Sequence, residues 1–119
     1  MPRFITLVHI DENALSAGPP PGEDFDKRMG ALFEEIAKAG VMLDTAGLKP
    51  TSESTRVIWS GGKIGYTDGP FTETKEVVGG YSIVQAKDKA EAMEWAKRFL
   101  EIHPAEWKVT CEVREIKEA

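Results

Sequence analysis

Apolar and polar positions along the first forty residues define two elements of different period. Residues 3–10 read as a strand in which Phe4, Val8 and Ile10 point one way and Ile5 and Leu7 the other. Both faces are largely apolar, which suits an interior strand covered on both sides. Residues 24–39 carry Phe25, Met29, Leu32, Phe33, Ile36 and Ala37 at the spacing of one helical stripe. Glu23, Asp24 and Asp26 crowd the first turn and Lys38 sits in the last, both favourable to the helix dipole. Gly40 is placed to end the helix in a left-handed conformation.

Between these elements, Ser16 to Gly22 is so rich in Pro and Gly that it reads as a loop. After the helix, Val41 to Leu43 opens a second extended stretch, interrupted by Gly47 and Pro50. Thr55 to Ser60, with Val57, Ile58 and Trp59, is a strand, and Gly61-Gly62 predicts a tight hairpin into Lys63–Thr67. Asp68-Gly69-Pro70 breaks that strand, since proline cannot donate to a ladder. A further strand spans about Val77 to Ala86. Asp88 and Glu91 form a capping-box pattern for a second helix with the stripe Ala92, Met93, Ala96, Phe99 and Leu100, closed by Pro104. The last strand alternates Trp107, Val109, Cys111 and Val113 against Lys108, Thr110, Glu112 and Arg114, the pattern of a half-exposed edge.

The order is β-α-β, a hairpin, then β-α-β: an α+β, ferredoxin-like arrangement on an antiparallel sheet, in one domain spanning residues 1–119. Two helices cover only one face of such a sheet. The other face, apolar in both central strands, would expose several hundred square ångströms, more than monomers usually tolerate. A homodimer through this helix-free face is therefore expected.

Composition narrows the function without naming it. At 41% hydrophobic and 29% charged, the 119-residue chain is an ordinary globular sequence. A formal charge of −5 with scattered cations argues against nucleic-acid binding, which relies on clustered Lys and Arg. No apolar run approaches the ~20 residues needed to cross a bilayer, and the first residues lack a signal-peptide pattern. A lone cysteine, Cys111, cannot form an internal disulfide, so a reducing cytoplasm is the expected location. By alternation Cys111 sits among apolar neighbours and reads as a core thiol. Histidine and cysteine show no metal-ligand spacing, and no cofactor is expected.

The most distinctive segment is Asp68-Gly69-Pro70-Phe71-Thr72-Glu73-Thr74-Lys75-Glu76, followed by Gly79-Gly80-Tyr81. Structurally, Asp68 can cap the turn, Gly69 and Pro70 bend the chain and Phe71 plugs the core. Functionally, Asp68, Glu73, Lys75 and Glu76 place acid and base beside a backbone break, where sites often sit. His9 and Asp68 are the candidate catalytic groups, His9 because imidazole is the readiest general base near neutral pH. A lone histidine on an apolar face is more often structural, and His103, beside Pro104, is the weaker of the two. Arg56, Tyr66, Glu73 and Lys75 are candidate substrate-binding residues. Trp59, Tyr66 and Tyr81 could line a pocket, although strand aromatics are more often core.

Residues 68–76 resemble the DGPFAETKE signature of the DGPF group of YCII-related proteins, with Thr72 in place of the usual alanine. Ala39–Leu43, Ala46–Pro50, Arg56-Val57, Ser60–Lys63, Glu91–Trp95 and Glu112–Arg114 extend the resemblance in the same order. The resemblance implies a dimeric α+β barrel. In the wider group, relatives resemble cofactor-independent lyases with a His–Asp pair whose histidine lies near the start of the first helix. Here Glu23–Met29 contains no histidine, and Gly47-Leu48-Lys49-Pro50 stands where the family has Gly-Leu-His-Pro. The dyad is therefore not carried over.

Two functions follow as expectations. One is a cofactor-independent binder of, or enzyme for, a small polar or aromatic molecule, its pocket between sheet and first helix or across the dimer. His9, Arg56, Tyr66, Asp68, Glu73 and Lys75 would supply the polar lining. The other is a non-catalytic accessory or regulatory module linked to transcription, in line with the family's association with alternative sigma factors.

Overall fold

A computed structural model describes residues 1–17 and 20–118 of the chain. The elements run β1 (Arg3–Ile10), α1 (Glu12–Ala17), α2 (Glu23–Ala39), β2 (Met42–Gly47), a 3-10 turn (Thr51–Glu53), β3 (Thr55–Ser60), β4 (Lys63–Asp68), β5 (Val77–Gln85), α3 (Lys89–Leu100) and β6 (Val109–Glu115). Four strands form an antiparallel sheet in the order β2-β5-β1-β6, and β3-β4 is a separate two-stranded hairpin. This is the α+β, ferredoxin-like arrangement, with β1 and β5 central and β6 at an edge.

Local chemistry accounts for most boundaries. Gly40 ends α2 at φ 70°, its N–H donating to the Ala37 carbonyl. Gly61 and Gly62 turn the hairpin at φ 59° and 75°, the left-handed pair that matches the twist of the flanking strands. The Asp88 carboxylate accepts from the Glu91 N–H at 2.9 Å and starts α3.

Two expectations change. The Ser16–Gly22 loop gives way at its start to α1, which takes in Ser16 and Ala17; Gly18 and Pro19 lie outside the described residues. Asp11 caps α1, accepting from the N–H groups of Asn13 and Ala14 at 3.1 Å each. On α3, Ala92 and Ala96 are buried as expected but Met93 is exposed, and Trp95 packs inward in its place. Met93 lies on the β6 side of the helix, where it borders a shallow groove with Cys111 and Val113 instead of entering the core.

The alternation of β1 places Phe4, Thr6 and Val8 toward the helices and Ile5, Leu7 and His9 on the helix-free side. The core is divided. Phe4, 1% exposed, packs with Val84, Ala86 and Ala92 between sheet and α3. Leu32, Ile36, Val41 and Ile102 form a second cluster that holds α2, with Phe25, Met29, Trp95 and Phe99 packed against it. No described helix is long and apolar enough to cross a membrane.

Candidate functional site

Between the two clusters the helices stand off the sheet and leave a cavity of about 200 Å³. Phe33 on α2 and Trp95 and Phe99 on α3 form its roof and sides. Its floor is β1 and β5, where Thr6 and Ser82 are direct partners across the antiparallel register. Gly79 and Gly80 contribute no side chains, so the floor stays open beside Val8. A Cβ on Gly80 would lie 3.0 Å from the Ala46 carbonyl oxygen. Thr45 also borders the cavity, but its hydroxyl donates to the Tyr81 carbonyl at 3.0 Å. The Thr6 and Ser82 hydroxyls are thus a polar pair in an otherwise apolar floor. Among the described residues, no Asp, Glu, Lys, Arg or His lines the cavity. Such a lining holds an uncharged molecule and offers it hydroxyl hydrogen bonds. A charged ligand would lose its hydration there without an ionic partner.

The residues singled out in the sequence lie elsewhere. His9 is on the helix-free face, its Nε2 3.5 Å from Glu112 Oε1. Glu112 also pairs with Arg114, whose hydrogen bond is the main influence holding that carboxylate below its ordinary range. Asp68 accepts from the Thr55 hydroxyl at 2.8 Å across the base of the hairpin, rather than capping its own turn. Arg56 lies 3.6 Å over the buried Phe71 ring and 3.8 Å from Glu73. Tyr66 is exposed on the hairpin. Lys75 borders a separate groove with Asp11, Glu106 and Trp107, beside the Lys108–Glu76 pair at 3.5 Å. The structure therefore brings together Arg56 and Glu73, with Asp68 at the same hairpin base. It leaves His9 and Lys75 in other places, and none of the six candidates lines the cavity.

The remaining groups have structural occupations. His103 Nδ1 lies 3.1 Å from the Phe99 carbonyl, and its ring meets Phe25 and Phe99 edge to face at 5.3 and 4.8 Å. Burial pushes the half-buried Cys111 thiol up to about 11, so it is no nucleophile at neutral pH. The Tyr81 hydroxyl donates to Asp44 at 2.8 Å, a bond that raises the phenol above its ordinary value. No group of three potential metal ligands occurs among the described residues.

The profile of the YCII-related domain matches residues 3–118. The chain belongs to this family. A relative, an uncharacterized protein of Rhizobium meliloti (strain 1021), is 27% identical over 103 residues, covering 86% of this chain and 83% of that one. In this YCII-related chain Tyr81, expected from the sequence as a pocket residue, does border the cavity, whereas the polar pair Thr6 and Ser82 was missed, although one signal was present. Thr6 falls between Phe4 and Val8, and Ser82 between Gly80 and Val84, each a polar position in an apolar face.

Proposed function

We propose that this YCII-related protein binds a small, uncharged, largely apolar or aromatic molecule in the cavity between sheet and helices. The observation that carries the reading is the Thr6–Ser82 pair set in a floor otherwise lined by apolar groups and glycine backbone. No cofactor is invoked, and among the described residues no carboxylate, amine or imidazole stands at the cavity wall to transfer a proton. Binding is thus favoured over catalysis at this place. In this reading a second copy covers the helix-free face, where Ile5, Leu7 and Ile83 are ringed by the Arg3–Glu118, His9–Glu112 and Tyr81–Asp44 pairs.

Thermal shift against a library of uncharged aromatic and alicyclic metabolites tests the proposal. A ligand at a hundred times its dissociation constant stabilises by about 2.7 kcal/mol, a rise of roughly 10 °C for a domain of this size. Thr6→Val should cut the shift to about half, by removing a hydroxyl worth about 1 kcal/mol, and Ala96→Leu should abolish it by filling the space. A hit that both variants retain would place the ligand elsewhere and end the proposal. The packing of residues 68–76 as architecture favours a second reading, a non-catalytic module acting through protein contacts. A library with no hit at all would favour it.

A further inference from the structure

The hairpin β3-β4 is built the wrong way round for a monomer. Its register sets Val57 opposite Tyr66 and Trp59 opposite Ile64, so these four side chains share one face. Arg56, Ile58 and Ser60 share the other with Thr67, Gly65 and Lys63. Arg56 stacks on Phe71 and pairs with Glu73, so the more polar face is the one turned toward the protein's own body. The apolar face looks away. Val57, Trp59, Ile64 and Tyr66 are 64%, 70%, 53% and 73% exposed.

An isolated two-stranded hairpin is marginal in water at best. Its six-residue strands reach about 20 Å. The radius of gyration is 16.3 Å, against about 13.5 Å for a compact domain of this length, and the molecule measures 46 × 43 × 18 Å. The hairpin is an arm lying outside the packed layers. Its apolar face amounts to roughly 500 Å², the upper end of what monomers expose and the size at which such patches are functional.

We propose that the arm is an exchange element: its apolar face packs on a second copy of this chain, over the helix-free sheet around Ile5, Leu7 and Ile83. This rests on the pairing through that face proposed above and names the element that secures it. Three observations select a second copy as the occupant. The same chain carries both an uncovered apolar arm and an uncovered apolar sheet face, so a two-fold pair satisfies both surfaces twice. Two arms and their two footprints remove on the order of 2,000 Å² from water, the area of a stable specific pair. The arm, residues 54–68, carries Arg56 and Lys63 against Asp68, while the whole chain is at −5, so arm and partner body attract.

The test is light scattering after size exclusion, with sedimentation equilibrium at micromolar protein, on the wild type and three variants. The wild type should run as a pair of 13.1 kDa chains. Trp59→Lys combined with Tyr66→Lys, both exposed and harmless to a monomer, should raise the dissociation constant about 100-fold with an unchanged circular dichroism spectrum. Ile58→Lys, on the other face of the arm, should leave it within about threefold. Ile5→Lys separates the two readings. If it dissociates the pair while the arm double variant does not, the arm proposal falls and sheet pairing stands. A monomeric wild type overturns both and leaves the arm to a different protein.

Discussion

Replacing Gly69 by alanine adds a methyl group to a position already occupied by backbone. The new Cβ would sit 1.7 Å from the Thr51 carbonyl oxygen and 2.7 Å from its carbon. A carbon and a carbonyl oxygen approach to about 3.3 Å, so one segment must retreat by roughly 1.6 Å. Neither is free to do so. The Thr51 carbonyl accepts from Ser54 N at 3.0 Å, Gly69 N donates to the Ser54 carbonyl at 2.8 Å, and Thr51 N donates to the Glu12 carboxylate at 2.8 Å. Overpacking of this kind costs about 1–3 kcal/mol, and each hydrogen bond given up about 1 more. A loss near 3 kcal/mol follows, and with roughly 4 °C per kcal/mol for a domain of this size the melting temperature should fall by about 12 °C. Gly65→Ala is the control: a Cβ there meets nothing within 4 Å, so its effect should stay within about 0.5 kcal/mol. Urea titration and thermal melts of both variants decide the matter. Equal stability of Gly69→Ala and Gly65→Ala would refute the account of Gly69 as the residue that lets the arm's base close on the 3-10 turn.

Two further outcomes concern titrating groups. The folded Cys111 thiol holds its proton to about 11, whereas a free thiol loses it near 9.0, so the stability it contributes is complete below pH 9 and is lost as pH rises toward 11. Cys111→Ala should flatten the fall in stability over that window, and iodoacetamide at pH 8 should label the native wild type far more slowly than the denatured chain. In a Tyr66→Phe background the remaining phenol, Tyr81, should titrate above its ordinary 10.0 by ultraviolet difference absorbance, and Asp44→Asn should bring it back down. An unchanged titration would break the link between the Tyr81–Asp44 bond and the shift.

Features written in a few adjacent residues were legible from the sequence: the glycine end of α2, the Gly61-Gly62 turn and the Asp88 cap of α3 each depend on chemistry within one turn. The central placing of β1 was legible too, because an apolar strand on both faces belongs inside a sheet. The short α1 was hidden by the prolines and glycines that follow it, although Asp11 carried its capping signal. The place of the cavity, between the sheet and the helix of residues 23–39, matched one of the two expected, but its lining was not legible, since it depends on α2 being held by Leu32 and Ile36 against Val41 and Ile102 rather than pressed onto the sheet. That Thr6 and Ser82 meet depends on the β1–β5 register, a long-range quantity. Clustering in sequence likewise misled for Lys75, which the Thr72–Glu73 turn and the bend at Lys75 itself direct into another groove, away from the Arg56–Glu73 pair.

The charges of the 68–76 segment look like a site in sequence and act as fasteners in space. Asp68 binds Thr55, Gly69 closes on Thr51, Phe71 is buried under Arg56, Glu73 pairs with that same arginine, and Glu76 reaches Lys108 near β6. Together they close the arm on itself, tie its base to the 3-10 turn and to the 68–76 segment, and join that segment to the residue before β6. The exposed pairs among them are individually weak, so their combined value is orientation more than stability. Orientation is what the arm requires: Arg56 must face Phe71 for Trp59 and Tyr66 to face outward, because strand alternation links the two faces rigidly. Substitutions in this segment should therefore disturb assembly first and leave the cavity's ligand affinity nearly intact. Arg56→Ala makes the distinction sharp. It removes no residue of the cavity and none of the arm's apolar face, yet it releases the contact that aims that face. A weaker pair with an unaltered ligand shift is the expected result, and a lost ligand shift with an intact pair would return the segment to the status of a binding site.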